Sequence, residues 1–104
     1  MDYVVVYVTV SSKKEGKIIA KALLEAKLAA CVNIIDGVES FFWWEKKIDT
    51  AKESLLIIKT KKSIVPQLEK MVKKYHSYDV PEIIALPIVS GERKYLDWLE
   101  GSLK

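Results

Sequence analysis

A chain of 104 residues, 50% hydrophobic and 30% charged, has the size and make-up of one globular domain, which excludes a disordered segment. Its formal charge of +3 is carried by lysine, since Arg93 is the only arginine, and the forked guanidinium that reads bases is nearly missing. Nucleic-acid recognition is therefore not expected, and neither is a membrane span, because no apolar run is long enough. The single cysteine, Cys31, excludes an internal disulfide and, with no signal-peptide pattern before the first apolar run, points to a reducing cytoplasm.

Tyr3 to Val10, YVVVYVTV, is a nearly unbroken β-branched and aromatic run, the pattern of a strand buried on both faces. Ser11 and Ser12 offer N-caps to a helix in which Ile18, Ile19, Ala22, Leu23 and Ala26 recur at helical spacing to about residue 28, with Gly16 costing some propensity. Cys31 to Trp44 reads as a strand. Its Asp36-Gly37 pair fits a kink in one long strand better than a hairpin turn, which would leave two short arms and a strand the later pattern does not need. After the polar stretch EKKIDTAK, Glu53 to Thr60 predicts a third strand, apolar on both faces at Leu55 to Ile58 and near enough to Trp44 to pair as a hairpin. Ser63 is expected to cap a second helix, with Pro66 tolerated in the first turn and Ile64, Val65, Leu68, Met71, Val72 and Tyr75 as its apolar stripe. Glu82 to Val89 predicts a fourth strand, placed at an edge by Pro87. A last short helix from about Gly91 to Leu103 carries Tyr95, Leu96, Trp98 and Leu99 on its apolar side.

The order βαββαβ plus a C-terminal helix predicts an α+β fold, a ferredoxin-like sandwich in a single domain spanning residues 1–104, with the first and third strands central. Two helices cover one face of such a sheet, yet both central strands are apolar on both faces. The hairpin sharpens the problem, because in SFFWWEKK the side chains of Phe41 and Trp43 point one way and those of Phe42 and Trp44 the other. Further copies of the chain are the expected cover. The alternative is a monomer in which the C-terminal helix, with Trp98, folds over the open face.

AACVNII at 29–35, SFFWWEKKIDTAKESLLIIKT at 40–60, HSYDVPEIIALPI at 76–88 and YLDWL at 95–99 together resemble the CutA family of divalent-cation tolerance proteins. The resemblance implies a cytoplasmic homotrimer whose extended hairpins clasp neighbouring subunits, with Phe41, Phe42, Trp43 and Trp44 in the interface. It further implies a link to divalent cations, Cu(II) among them, and kinship in architecture with the trimeric PII signalling proteins. No enzymatic activity is established across that family.

His76, the only histidine, stands just after the second helix, where a structural hydrogen-bonding role is the usual one; the resemblance and an exposed loop bring a metal-ligand role level with it. Cys31 reads as a small buried hydrophobe on its surroundings, with a soft-metal role kept open by the resemblance. Family members tied to copper carry further ligands at the positions of Val8 and Tyr75. With those absent here, any metal is expected to be bound weakly. Lys59, Glu53, Tyr78 and Asp79, with Asn33 on the neighbouring strand, match positions that line an intersubunit cleft in the family, where a lysine beside a phenol can hold a small anion. No phosphate-binding glycine loop, HExxH or nucleophile with a local base is present, so neither an enzyme nor an organic cofactor is expected. Three readings stand: a metal-responsive tolerance protein, a PII-like sensor of a small anionic metabolite, and a structural partner of another protein.

Overall fold

The computed structural model describes residues 2–104. β1 (Tyr3–Val10) alternates strictly: Val4, Val6, Val8 and Val10 are buried, while Tyr3, Val5, Tyr7 and Thr9 on the other face are half-covered. It pairs antiparallel with β3 (Lys47–Lys61) on one side and β4 (Ile83–Pro87) on the other, and β2 (Cys31–Trp44) pairs with β3. The sheet order is β2-β3-β1-β4, so the two apolar runs lie in the middle and the Asp-Gly and proline strands at the edges, as the sequence predicts.

The Asp36-Gly37 pair is a kink within one strand. Ile35 faces Leu55 and Val38 faces Glu53, so β2 spends one more residue than β3 in crossing the bulge. Gly37 takes φ +72° there, and the Asp36 carboxylate accepts a 2.8 Å hydrogen bond from the buried Ser54 hydroxyl. The third strand is longer than predicted, because KIDTAK is paired residue for residue with the aromatic arm out to Trp44 opposite Lys47. Glu45 (φ 47°) and Lys46 (φ 65°) close the hairpin with both residues left-handed, as a two-residue turn of the right twist requires.

α1 (Lys13–Glu25) starts on Ser12, whose hydroxyl accepts from the Glu15 N–H at 3.1 Å. It stops three residues earlier than the apolar spacing suggests. Lys27 turns left-handed (φ 57°), and the N–H groups of Lys27 and Leu28 donate back to the carbonyls of Leu24 and Leu23. Gly16 is buried against the sheet: a Cβ there would stand 3.1 Å from Leu56 Cδ2 and 3.4 Å from Val10 Cγ2. Its cost in propensity is offset by that close approach.

α2 (Val65–Tyr75) follows a 3₁₀ turn, Lys62–Ile64, which takes up Ser63; the helix has no side-chain cap, so the expected Ser63 cap does not form. Leu68 and Val72 are fully buried, whereas Tyr75 is exposed with the Lys74 ammonium over its ring. α3 (Arg93–Gly101) is capped by the Glu92 carboxylate and buries Leu99 alone; Tyr95 and Trp98, expected on the apolar side, are exposed and packed on each other 5.5 Å apart. Glu100 of this helix accepts from the Tyr3 hydroxyl and pairs with Lys61, which fixes α3 at the end of the sheet. It does not spread over the open face, where Ile35, Ile84 and Leu86 stay 41–50% exposed. Among the described residues no helix is long and apolar enough to cross a membrane.

Candidate functional site

The sheet's open face and the hairpin carry every residue the sequence singled out except His76 and the 77–80 loop, which reach it from the end of α2. In register, Cys31 lies opposite Lys59 and Asn33 opposite Ile57, which puts the three polar residues on one patch. The Lys59 ammonium donates to the Asn33 side-chain oxygen and stands 3.9 Å from Cys31 Sγ. Among the described residues it has no carboxylate within ion-pair reach. Cys31 is half-buried rather than enclosed.

Glu53 and Tyr78 belong elsewhere. Glu53 stands six positions before Lys59 on β3, roughly 20 Å of extended chain, so within one chain the residues expected to line an intersubunit cleft fall into two clusters. At the second cluster the Tyr78 hydroxyl donates to Glu53 at 2.8 Å, and Glu53 as a residue is only 8% exposed. Burial first, and then the hydrogen bond to Glu53, push the Tyr78 phenol up to about 12. The two residues form one wall of a groove of about 790 Å³, closed on the other side by Phe42 and Trp44 of the hairpin and bordered by Asp49, Asp79 and Glu82. Aromatic faces and carboxylates without a lysine or arginine make this groove attractive to cations.

His76 is not the accessible ligand its place before a loop suggests. Its side chain is fully buried: Nε2–H donates to the Thr9 carbonyl at 2.8 Å, and Nδ1 accepts the Tyr78 N–H at 3.1 Å. Thr9 O can only accept and Tyr78 N–H can only donate, so the neutral ring's tautomer is fixed and neither nitrogen has a free lone pair. Of the two candidate metal ligands, His76 thus has both ring nitrogens engaged within the fold, and Cys31 sits beside an ammonium. Among the described residues no three His, Cys, Asp or Glu side chains converge as a metal site would need. Sequence reasoning missed Glu15, whose carboxylate lies 3.6 Å from His76 Nδ1; it is far away in the chain, and only the packing of α1 beside α2 brings it in.

A four-stranded antiparallel sheet with two helices on one face, an open second face and an overlong aromatic hairpin beside an acidic groove defines a small α+β domain. Residues 4–102 match the family model described as CutA1 divalent ion tolerance protein, and the chain belongs to that family. A chloroplastic CutA 1 from Oryza sativa is 54% identical over 101 residues, covering 97% of this chain and 57% of its own length. The crystal structure of CutA1 from that organism superimposes with a TM-score of 0.97 at 53% identity, covering 100% of this chain and 95% of its own. The divalent-cation tolerance protein CutA of Thermus thermophilus is 50% identical over 95 residues, 91% of this chain and 92% of the relative. A structure of CutA from Archaeoglobus fulgidus, described as periplasmic, gives a TM-score of 0.95 at 44% identity over 98% of this chain and 99% of its own. The chain thus spans little more than half of its plant relative and nearly all of its bacterial one.

Proposed function

We propose that the chain is a divalent-cation tolerance protein in the full sense of its family's description: a ferredoxin-like homotrimer, without catalysis of its own, that takes divalent cations weakly, Cu(II) among them. The observation that carries this is the family match over residues 4–102. Locally it is supported by the groove in which Asp79 and Glu82 stand exposed near the Glu53–Tyr78 pair. One chain supplies only part of a ligand set, so the remainder comes from a neighbouring copy, and a loose oxygen-rich site of this kind binds weakly and with little selectivity. Residence in the cytoplasm belongs to the same proposal and rests on the lone cysteine, although relatives occupy a chloroplast and a periplasm.

Calorimetric titration of metal-stripped protein with Cu(II) and Mn(II) tests the reading. Weak heats are expected for both ions, reduced several-fold in the double variant Asp79→Asn, Glu82→Gln and unchanged in Cys31→Ser. Tight stoichiometric copper binding that disappears in Cys31→Ser would place the site at the thiol and reject the groove.

A second reading is favoured by Lys59, a half-buried cation with no carboxylate partner among the described residues. In a PII-like arrangement it would hold a small anion between subunits. Lys59→Ala should then abolish binding of any anionic metabolite found in a panel while leaving the assembly intact, and unchanged affinity assigns Lys59 to the solvated surface.

A further inference from the structure

The main chain of the turn after α2 is tied to the buried ring by one nitrogen lone pair, beside the 3.5 Å contacts of Ser77 with Glu15 and Ser11 and the Tyr78 hydroxyl on Glu53. His76 Nδ1 accepts the Tyr78 N–H at 3.1 Å, and this is the bond that folds the exposed Ser77–Asp79 segment back onto the buried ring, with the phenol ring 4.8 Å away. The same Nδ1 faces a carboxylate oxygen of Glu15 at 3.6 Å, too far for a hydrogen bond with the ring neutral. That oxygen is poorly engaged, since its other partner is the Ser77 N–H at 3.5 Å, while the Ser11 hydroxyl takes Oε1 at 3.2 Å. Nδ1 therefore has two neighbours of opposite kind: a donor it satisfies now, and an acceptor it could satisfy only with a proton of its own.

We propose that His76, Glu15 and the Ser77–Asp79 turn form a proton-operated latch, in which a proton taken from hydronium onto His76 Nδ1 exchanges the Tyr78 N–H for the Glu15 carboxylate and releases the turn. The proton passes from hydronium to the Nδ1 lone pair, so an O–H bond breaks as the N–H bond forms, a water molecule is left, and no bond within the chain is cleaved. The Nε2–H bond to Thr9 is unaffected, because that nitrogen donates in both forms. An Nδ1–H and the Tyr78 N–H then point at each other as two donors, and the repulsion lifts the turn, while a closure of about 0.7–0.9 Å brings the new imidazolium onto Glu15 as a charge-assisted pair. Tyr78 travels with the turn, and its hydroxyl is hydrogen-bonded to Glu53, so release frees that carboxylate oxygen on the wall of the groove.

The charges around the ring are few. Glu15 comes from α1, Glu53 from β3 by way of Tyr78, and β1 offers only the Thr9 carbonyl; Lys73 and Lys74 in the last turn of α2 and Asp79 beyond the turn are exposed. Glu15 is the one whose removal alters the exchange. The latch stands whether or not the groove takes a cation.

The test follows the whole chain by nitrogen-15 NMR between about pH 8 and pH 5, reading the imidazole nitrogens and the hydrogen-exchange protection of the Tyr78 amide in one titration. Protection of Tyr78 should fall about tenfold or more at the midpoint where Nδ1 gains its proton, while the amides of β1 stay protected. In Glu15→Gln, which keeps one acceptor oxygen, for Ser11 or for Ser77 but not for both, and loses the charge, the same transition should move to lower pH. Tyr78→Phe keeps the main-chain donor, so its amide should still be released at the wild-type midpoint or above. An imidazole that titrates without any loss of protection at residue 78, one that stays neutral until the chain unfolds, or a midpoint untouched by Glu15→Gln would each overturn the latch.

Discussion

Glu100 shows how a single side chain near the C-terminus ties three elements. Its two oxygens accept from the Tyr3 hydroxyl at 3.2 Å and from the Lys61 ammonium at 2.9 Å, so α3, β1 and β3 meet on one carboxylate. The Lys61 hydrogen bond, chiefly, and then the Tyr3 hydroxyl hold this carboxyl below the usual carboxylate range. A depressed value in the folded chain favours the ionised form. The stabilisation is therefore complete above the ordinary carboxylate range and is lost as pH falls through that range to the depressed value. Glu100→Gln keeps the shape and one acceptor but not the charge, so thermal melts should show wild type ahead at neutral pH, with the gap closing on acidification. Because the pair is partly exposed, added salt should shrink the gap as well. A difference that ignores both pH and salt would mean that Glu100 acts through packing alone. His76 teaches the complementary lesson: one histidine before a turn is compatible with an exposed ligand or a buried hinge, and only the Thr9 carbonyl and the Tyr78 N–H on its two nitrogens decide between them.

At the scale of elements, the bulge at Gly37 sets which faces of the hairpin the aromatics occupy. One surplus residue on β2 resets its alternation against β3, and deleting it would turn Phe41 to Trp44 over to the opposite faces. Nothing lies within 4 Å of where a Gly37 Cβ would be, yet φ is +72°, so Gly37→Ala should cost about 1–2 kcal/mol through backbone strain with no clash. Denaturant unfolding with an unchanged slope and a lower midpoint is the expected result. The kink was legible because Asp-Gly inside an apolar run is a local signal, and the central strands were legible because apolar continuity is local too. KIDTAK was not. It is polar, exposed nearly throughout and held by ladder hydrogen bonds to the aromatic arm, so side-chain pattern carried no trace of a strand. The early stop of α1 was hidden for a related reason, since a lysine stands at the left-handed position where glycine is the usual signal. The separation of Lys59 from Glu53 follows from their spacing along one strand, but which of them Tyr78 reaches was not legible, because it depends on how the loop after α2 packs.

For the whole molecule the governing fact is an apolar surface larger than one chain can cover. Phe41, Trp43, Trp44 and Ile48 are 61–73% exposed at one end of a body 45 Å long, and Ile84 and Leu86 extend the apolar surface along the edge strand. α3 has been accounted for: it is fixed by Glu100 at the end of the sheet and leaves that surface open, which argues against the monomer that the C-terminal helix would have closed. A patch of this kind on both faces of a projecting hairpin calls for partners of matching shape, and the proposed homotrimer supplies them by letting each hairpin lie against a neighbour. Sedimentation at low micromolar concentration should accordingly find one species of three chains and no monomer. Trp44→Ala removes an indole that is 61% exposed in the single chain and fully packed in the proposed assembly, a loss of about 3–5 kcal/mol per subunit if that burial is complete. The variant should dissociate or aggregate under conditions that leave wild type intact, while the β1–β3 core, which the substitution does not touch, keeps its far-ultraviolet signature. A wild-type chain that sediments as a soluble, folded monomer would show instead that the aromatic hairpin is tolerated in water, and the assembly would have to be abandoned along with every ligand set that borrows from a neighbour.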